Sequence, residues 1–381
     1  MPMNVRSISR DTGDDGVMQL RSLTMTSLEI PFRQAFTHAS AARIKTEAVL
    51  VRAESSRGLV GIGEGCPRHY VTGETVAGAQ EFFCQHQIEW LQFSTVDDLR
   101  AWVTAHADLI DRNPAAWCAV EIAWLDLLGK EAEQPIEVIL GGSRFPGPFQ
   151  YSAVLGAENL PSFEKQLHQY LAVGFADFKL KVTGDAQADL QRVERLKAAG
   201  TPSLRVRLDA NNRWQQVGEA CAYIQRLNGP FLALEEPLRV GDFEGCRTLS
   251  QQCGLPIILD ESFMKGGQFS MIQGEPSLWI VNIRVSKMGG LLRALTVAAQ
   301  AKALGIPIIV GAQVGETSIL TRAALVVVDR YRDIVMAQEG AFGTHLLEYD
   351  LCEPPLMFGR GGRLTENFFH GRPGLGLSFA R

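Results

Sequence analysis

From Leu20 onward the chain sorts its hydrophobic residues into short apolar runs and longer stretches of helical spacing. Leu20 to Ile30 and Thr46 to Ala53 read as strands, and Gly58-Leu59-Val60-Gly61-Ile62-Gly63-Glu64-Gly65 reads as the third strand of a meander. Arg33 to Ser40, between the first two, is expected as a polar, flexible connection, and Cys66 to Thr75 as a loop. From about Val76 to Gly129 the apolar spacing is helical, ending in the amphipathic stretch Ala116 to Gly129 with Gly129 as the expected C-cap. Strands followed by helices predict an α+β unit.

Past Leu140-Gly141-Gly142 the pattern changes to short apolar runs bounded by turn residues. These are Tyr151 to Leu155, Phe175 to Val182, Leu204 to Asp209, Phe231 to Glu235, Ile257 to Asp260, Leu278 to Val285, Ile306 to Val310 and Ile334 to Ala337. Helical segments such as Leu160 to Ala172, Asp185 to Ala199 and Leu291 to Leu304 separate them. Alternating strand and helix predicts a parallel sheet with right-handed crossovers. Eight such strands predict a closed barrel, whose C-terminal strand ends share one face. The tail from about Pro354 to Arg381 is Gly-rich with aromatics and is expected to fold back on the first domain.

Composition narrows the class without changing this picture. With 46% hydrophobic residues, 21% charged and a net charge of −5 over 381 residues, the chain has ample material for a core and no basic footprint for nucleic acid. No run approaches the length of a membrane span. Met1 to Gly16 mixes two arginines with three aspartates and lacks an apolar core, so it reads as a frayed tail and not a secretory signal. Seven scattered cysteines without a Cys-x-x-Cys pair point to reduced thiols and a cytoplasmic location.

The barrel runs end in charge. Lys179 and Lys181 share one face of a strand, since alternate side chains point the same way. From Lys181 the steps to Asp209, Glu235, Asp260 and Lys287 are 28, 26, 25 and 27 residues, about one strand–helix unit each. Three carboxylates at one barrel mouth repel one another unless a cation joins them, and hard oxygen donors without histidine or cysteine suit Mg²⁺. A lysine beside other positive charge and partly buried loses its proton more easily and becomes a candidate base. Lys179 is expected to stay charged and to stabilise negative charge developing on a substrate oxygen.

Lys179-x-Lys181, Asp209-x-Asn211, Glu235-Glu236-Pro237, Asp260-Glu261-Ser262 and Lys287-Met288-Gly289-Gly290 together resemble the muconate lactonizing enzyme subgroup of the enolase superfamily. Lysine bases with Mg²⁺ are an established pattern of that superfamily. The resemblance extends to Ala119 to Ala123, Asp126 to Lys130 and Leu140-Gly141-Gly142. It implies an α/β fold: a (β/α)7β modified TIM barrel with an N-terminal α+β capping domain. The expected divisions are a tail at 1–19, a capping domain at 20–145, a barrel at 146–350 and a returning segment at 351–381.

The resemblance also implies one Mg²⁺ on Asp209, Glu235 and Asp260, a small-molecule carboxylate substrate, and loss of its α-proton through a metal-stabilised enolate. Lys179, Lys181 and Lys287 are the implied catalytic residues, with Lys181 and Lys287 opposed as acid and base. Opposed bases suit racemisation or epimerisation, and Gly63 to Thr75 resembles dipeptide epimerases most closely. A dipeptide or N-acylated amino acid is the expected substrate. Muconate-type cycloisomerisation and dehydration (of a hydroxy acid, or to o-succinylbenzoate) share the same half-reaction. The seventh run ends in Gly311 to Glu316 without histidine, which counts against mandelate-racemase-type His–Asp chemistry. Expected substrate contacts are His38, His69, Tyr70, Asn211, Gln313 and Glu339, with Arg68 a further loop candidate. The expected assembly is a homo-oligomer, with no nucleic-acid or membrane partner.

Overall fold

The structure, a computed structural model, describes residues 18–38, 41–143, 147–157, 159–199, 204–365 and 369–379. The expected tail at 1–19 falls almost wholly outside them. Strand β1 (Leu20–Leu28) is followed by β2 (Pro31–His38), β3 (Ala41–Lys45), β4 (Ala48–Ser55) and β5 (Val60–Gly65). β1, β4 and β5 form an antiparallel sheet in that order. The stretch expected as a flexible connection is instead a hairpin, β2 pairing antiparallel with β3. Part of its support comes from far along the chain: Arg33 N donates to Leu346 O at 2.8 Å, and Phe32 bridges to Leu347. Local sequence carries no trace of such a partner.

The helix Pro114–Glu131 lies directly on β5. A Cβ at Gly61, Gly63 or Gly65 would sit about 2 Å from the carbonyl oxygens of Ala123, Ala119 and Ala115 respectively. Alternate strand positions thus match every fourth helix position, and only glycine permits the approach. Glu64, between two of these glycines, faces the other way, toward the barrel. Gly129 is not the C-cap, because the helix runs on to Glu131. Its missing Cβ makes room for Gly374, whose Cα would lie 2.6 Å from it.

The second sheet has eight parallel strands: β7 (Ala153–Leu155), β8 (Asp177–Lys181), β9 (Arg205–Asp209), β10 (Phe231–Glu235), β11 (Ile257–Leu259), β12 (Trp279–Ile283), β13 (Ile308–Val310) and β14 (Val335–Gln338). A short β6 (Phe149–Gln150) pairs with β15 (Arg363–Leu364) beneath it. Ser152 N donates to Gln338 O at 2.8 Å, joining the first strand to the last. Crossover helices begin at Asn159, Asp185, Asp242 and Thr317, whose side chains accept from first-turn amides. Between β11 and β12 the crossover consists of 3₁₀ turns, Gly266–Met271 and Pro276–Leu278. Inside the sheet, Ala233, Ile258, Ile280, Ile309 and Ala337 form an apolar layer, each two positions before a residue at its strand's C-terminal end.

Buried carboxylates join the two units. Glu64 accepts from Thr317 N at 2.9 Å and Thr317 Oγ1 at 2.7 Å, capping the barrel helix Ser318–Arg330. Glu121 accepts from Leu292 N at 2.9 Å, in the first turn of Leu291–Leu304. Asp126 accepts from Leu375 N at 2.8 Å, and Ile136 N donates to Gly374 O at 2.9 Å, so the C-terminal segment returns to the helix Pro114–Glu131. Among the described residues no helix is long and apolar enough to cross a membrane, and all seven cysteines are free thiols.

Candidate active site

β8 turns Phe178 and Leu180 into the apolar layer under the helices, and therefore Lys179 and Lys181 into the sheet's interior. Lys181 is level with Asp209 on β9, and Asp209 with Glu235 on β10. Asp260 follows β11 directly. Lys287 sits in a single helical turn, Val285–Met288, after β12. In a ring of eight, β8 and β12 are four strands apart, so Lys181 and Lys287 come from opposite walls with the three carboxylates between them.

Tight backbone turns aim these groups. Asn211 (φ 47°), Asn212 (φ 56°) and Glu236 (φ 38°) lie in the left-handed region, which costs a residue such as Glu about 1–2 kcal/mol. The turn at Glu236 sends neighbouring acids apart. Glu235 enters the barrel; Glu236 accepts from Asp260 N at 2.6 Å, Ser262 N at 2.8 Å, Ser262 Oγ at 2.7 Å and Asn212 Nδ2 at 2.9 Å. Glu236 is thus the brace that fixes Asp260.

Lys179 Nζ donates to Glu339 Oε2 at 2.8 Å and stands 3.2 Å from Glu235 Oε2. Burial favours its neutral form, but Glu235, Glu339 and Asp209 outweigh burial and raise the ammonium above an ordinary lysine. Arg207, fully buried, donates to Glu339 Oε1 at 2.9 Å, Ser152 Oγ at 2.7 Å and Asp177 Oδ1 at 3.1 Å. Burial would raise the Glu339 carboxyl, yet the Lys179 and Arg207 charges hold it down at about 2. Lys181 Nζ donates to Asn211 Oδ1 at 3.0 Å and lies 3.4 Å from Asp209 Oδ2. Burial notwithstanding, Lys181 and Lys179 keep Asp209 below its usual range, whereas burial lifts Glu235 to about 6.

Lys287 Nζ donates to Asp260 O at 2.7 Å, Asn282 O at 2.8 Å and Asp260 Oδ1 at 3.0 Å. Burial, joined by the Arg284 charge, pushes it down to about 7. Arg284 pairs with the other oxygen of Asp260 and donates to Gln313 Oε1 at 3.2 Å. A cavity of about 130 Å³ opens over this set, walled by Lys179, Lys181, Asp209, Asp260 and Glu339 below and Tyr70, Val314, Phe342 and Leu347 above. Glu235 and Lys287 lie behind this wall.

Of the expected substrate contacts, Tyr70, Asn211, Gln313 and Glu339 line the cavity. His69 is exposed and stands outside it. His38 closes β2, and its side chain lies outside the described residues. Arg68 is no substrate contact: fully buried, it donates to Glu47 O at 2.7 Å, Pro67 O at 2.7 Å and Val314 O at 2.6 Å, pinning the loop to the barrel. Sequence reading missed Arg207, two positions before Asp209 on a strand already recognised by its acidic end, and Arg284, which directly follows β12 on the way to Lys287.

The family model described as "Enolase C-terminal domain-like" matches residues 162–381, and that described as "Mandelate racemase / muconate lactonizing enzyme, N-terminal domain" matches residues 21–141. The chain belongs to the mandelate racemase/muconate lactonizing enzyme family of the enolase superfamily. Within this family it is 28% identical over 333 residues to the hydrophobic dipeptide epimerase of Enterococcus faecalis, covering 86% of this chain and 92% of that one. A dipeptide epimerase from Methylococcus capsulatus, solved with Mg and the dipeptide L-Arg-D-Lys, superposes with a TM-score of 0.81 at 25% identity, covering 95% of this chain and all of the other. A muconate lactonizing enzyme from Pseudomonas fluorescens, solved with muconolactone, shares the fold with a TM-score of 0.84 at 24% identity, over 96% and 97% of the two chains.

The donor set fits a divalent cation such as the Mg with which the Methylococcus capsulatus relative was solved. Asp209, Glu235 and Asp260 end consecutive strands and supply hard oxygen ligands only. Glu235 Oε2 is buried and accepts no hydrogen bond. Among the described residues no three acidic, histidine or cysteine side chains converge on one point as they stand. Each carboxylate leans instead on a neighbouring cation, Asp209 on Lys181, Glu235 on Lys179, and Asp260 on Arg284 and Lys287.

Proposed function

We propose that this chain is an isomerase that removes and returns the proton alpha to a substrate carboxylate, racemising or epimerising a dipeptide or an N-acylated amino acid. The observation that carries this reading is the opposition of Lys181 and Lys287 across three carboxylates on the intervening strands. Mg²⁺, held by Asp209, Glu235 and Asp260, would supply the charge that neutralises the substrate carboxylate and acidifies its α-hydrogen.

Lys179, kept cationic by Glu235 and Glu339, faces the same space and stabilises negative charge developing on a substrate oxygen. Lys181, half-buried beside Asn211, works on one face of the α-carbon. Lys287, buried behind Asp260 on the opposite wall, is assigned the other, so a proton taken by one lysine is replaced from the opposite side. Phe342, Val314 and Leu347 above the lysines exclude water from that exchange. The epimerase names of the relatives support the class of reaction.

The test is deuterium uptake at the α-carbon in D₂O with Mg²⁺, over a panel of dipeptides, N-acylamino acids and hydroxy acids. Uptake with interconversion of configuration is the expected result. Exchange accompanied by water loss or ring closure would reassign the chain to a lyase or cycloisomerase.

A further inference from the structure

The helices Val217–Leu227 and Phe243–Cys253 follow β9 and β10 and pack side by side on the outer face of the sheet. Cys221 stands in the second turn of the first helix, and Cys253 is the last residue of the second, just before Gly254 in the left-handed region at φ 66°. Their two sulfurs are 3.4 Å apart, with no room for water between them. Among the described residues no other two of the seven free thiols are hydrogen-bonded to each other.

The pair is asymmetric. Cys221 Sγ accepts from Cys253 Sγ and, at 3.3 Å, from Gln225 Nε2 one helical turn on. Cys253 is the donor, and burial, joined by that hydrogen bond, pushes its thiol up to about 12. Cys221 is 8% exposed and Cys253 more open, so a small oxidant reaches both. An accepting sulfur beside a thiol that keeps its proton divides the work: Cys221 attacks, and Cys253 resolves the product.

We infer that Cys221 and Cys253 form a site of oxidative modification, at which a peroxide converts the two thiols into a disulfide that ties the helices together. The Cys221 sulfur gives up its proton and attacks one oxygen of hydrogen peroxide. The O–O bond breaks, an S–O bond forms, and the departing hydroxide takes that proton and leaves as water. The Cys253 sulfur then attacks the sulfenic sulfur of Cys221. The S–O bond breaks as the S–S bond forms, and the oxygen leaves with the Cys253 proton as a second water. One peroxide is thus reduced by the two electrons that the thiols lose. The resulting link spans 32 positions of the chain and restricts the unfolded state, which stabilises the folded one.

The experiment treats the full chain with hydrogen peroxide at neutral pH, blocks the remaining thiols with iodoacetamide and maps the peptides by mass spectrometry. Cys84, which is exposed, reports that the oxidant acts. The expected product is a peptide pair joined through Cys221 and Cys253, two hydrogens lighter than its parts and released by dithiothreitol. Its thermal midpoint should lie about 4 °C above that of the reduced chain. In Cys253→Ser, dimedone should label Cys221 as a trapped sulfenic acid, and in Cys221→Ser no label should appear on Cys253. Thiols at Cys221 and Cys253 that both stay open to iodoacetamide, at peroxide doses well beyond those that oxidise Cys84, overturn the inference. A cross-link that leaves the midpoint unchanged overturns the tie between helices, and a dimedone label on Cys253 but not on Cys221 overturns the division of roles.

Discussion

Glu64 of the first domain caps Thr317 of the second: its carboxylate accepts from the Thr317 amide at 2.9 Å and hydroxyl at 2.7 Å, fully buried. The pair fixes the helix Ser318–Arg330, and with it the end of β13, relative to the loop that carries Tyr70. Glu64→Ala leaves those buried donors unpaired, at a cost of about 3 kcal/mol of unfolding free energy. Urea unfolding measures it. A loss below about 0.5 kcal/mol would mean the cap does not join the domains.

Gly129→Ala tests the approach of helix to C-terminal segment, because packing and propensity predict opposite signs. On an exposed helix the change stabilises by about 1 kcal/mol. Here the added methyl would lie 2.6 Å from Gly374 Cα, and backbone must move to admit it. The expected outcome is a loss of about 2 kcal/mol by thermal or urea unfolding. A gain would show that Gly374 yields freely.

Glu339 makes stability depend on acid. Its folded carboxyl titrates at about 2, below the 4.5 of an ordinary glutamate. The bridge to Lys179 and Arg207 therefore contributes in full above pH 4.5, and its contribution drains away as pH falls toward 2, where the unfolded chain binds the extra proton. Glu339→Gln should be less stable than wild type by about 3 kcal/mol at neutral pH. The gap should narrow steadily between pH 4.5 and 3 in urea titrations. A pH-independent gap would contradict the pairing.

Glu236 does not face the cavity, yet it accepts from the Asp260 amide and from Ser262. Removing such a brace would loosen Asp260, a proposed metal ligand, without deleting it. Glu236→Ala should weaken Mg²⁺ binding by roughly 10- to 100-fold in a calorimetric titration. Unchanged affinity would indicate that Asp260 is not a ligand.

Much of this was legible in the chain. The β/α period brought Lys181, Asp209 and Glu235 to one rim because parallel strands in register carry their ends to one level. The β2–β3 hairpin was not legible, since part of its hydrogen bonding comes from Leu346 and Leu347, over 300 residues away. Gly129 looked like a cap because its true partner, Gly374, is equally remote. Arg207 and Glu339 meet only when the sheet curls and Ser152, just before β7, bonds to Gln338 of β14. Burial decided the rest: Arg68 has the composition of a ligand-binding residue and the surroundings of a structural one.

The opposition of Lys181 and Lys287 is tested most directly one enantiomer at a time. Wild type, Lys181→Ala and Lys287→Ala are incubated with Mg²⁺ in D₂O and the L or D form of one exchanging N-acylated amino acid, and α-deuterium is followed by NMR. Each variant should exchange the α-proton of a single enantiomer, the two variants should choose opposite ones, and neither should interconvert them. Loss of exchange with both enantiomers in one variant, with full racemisation surviving in the other, would contradict a lysine on each face.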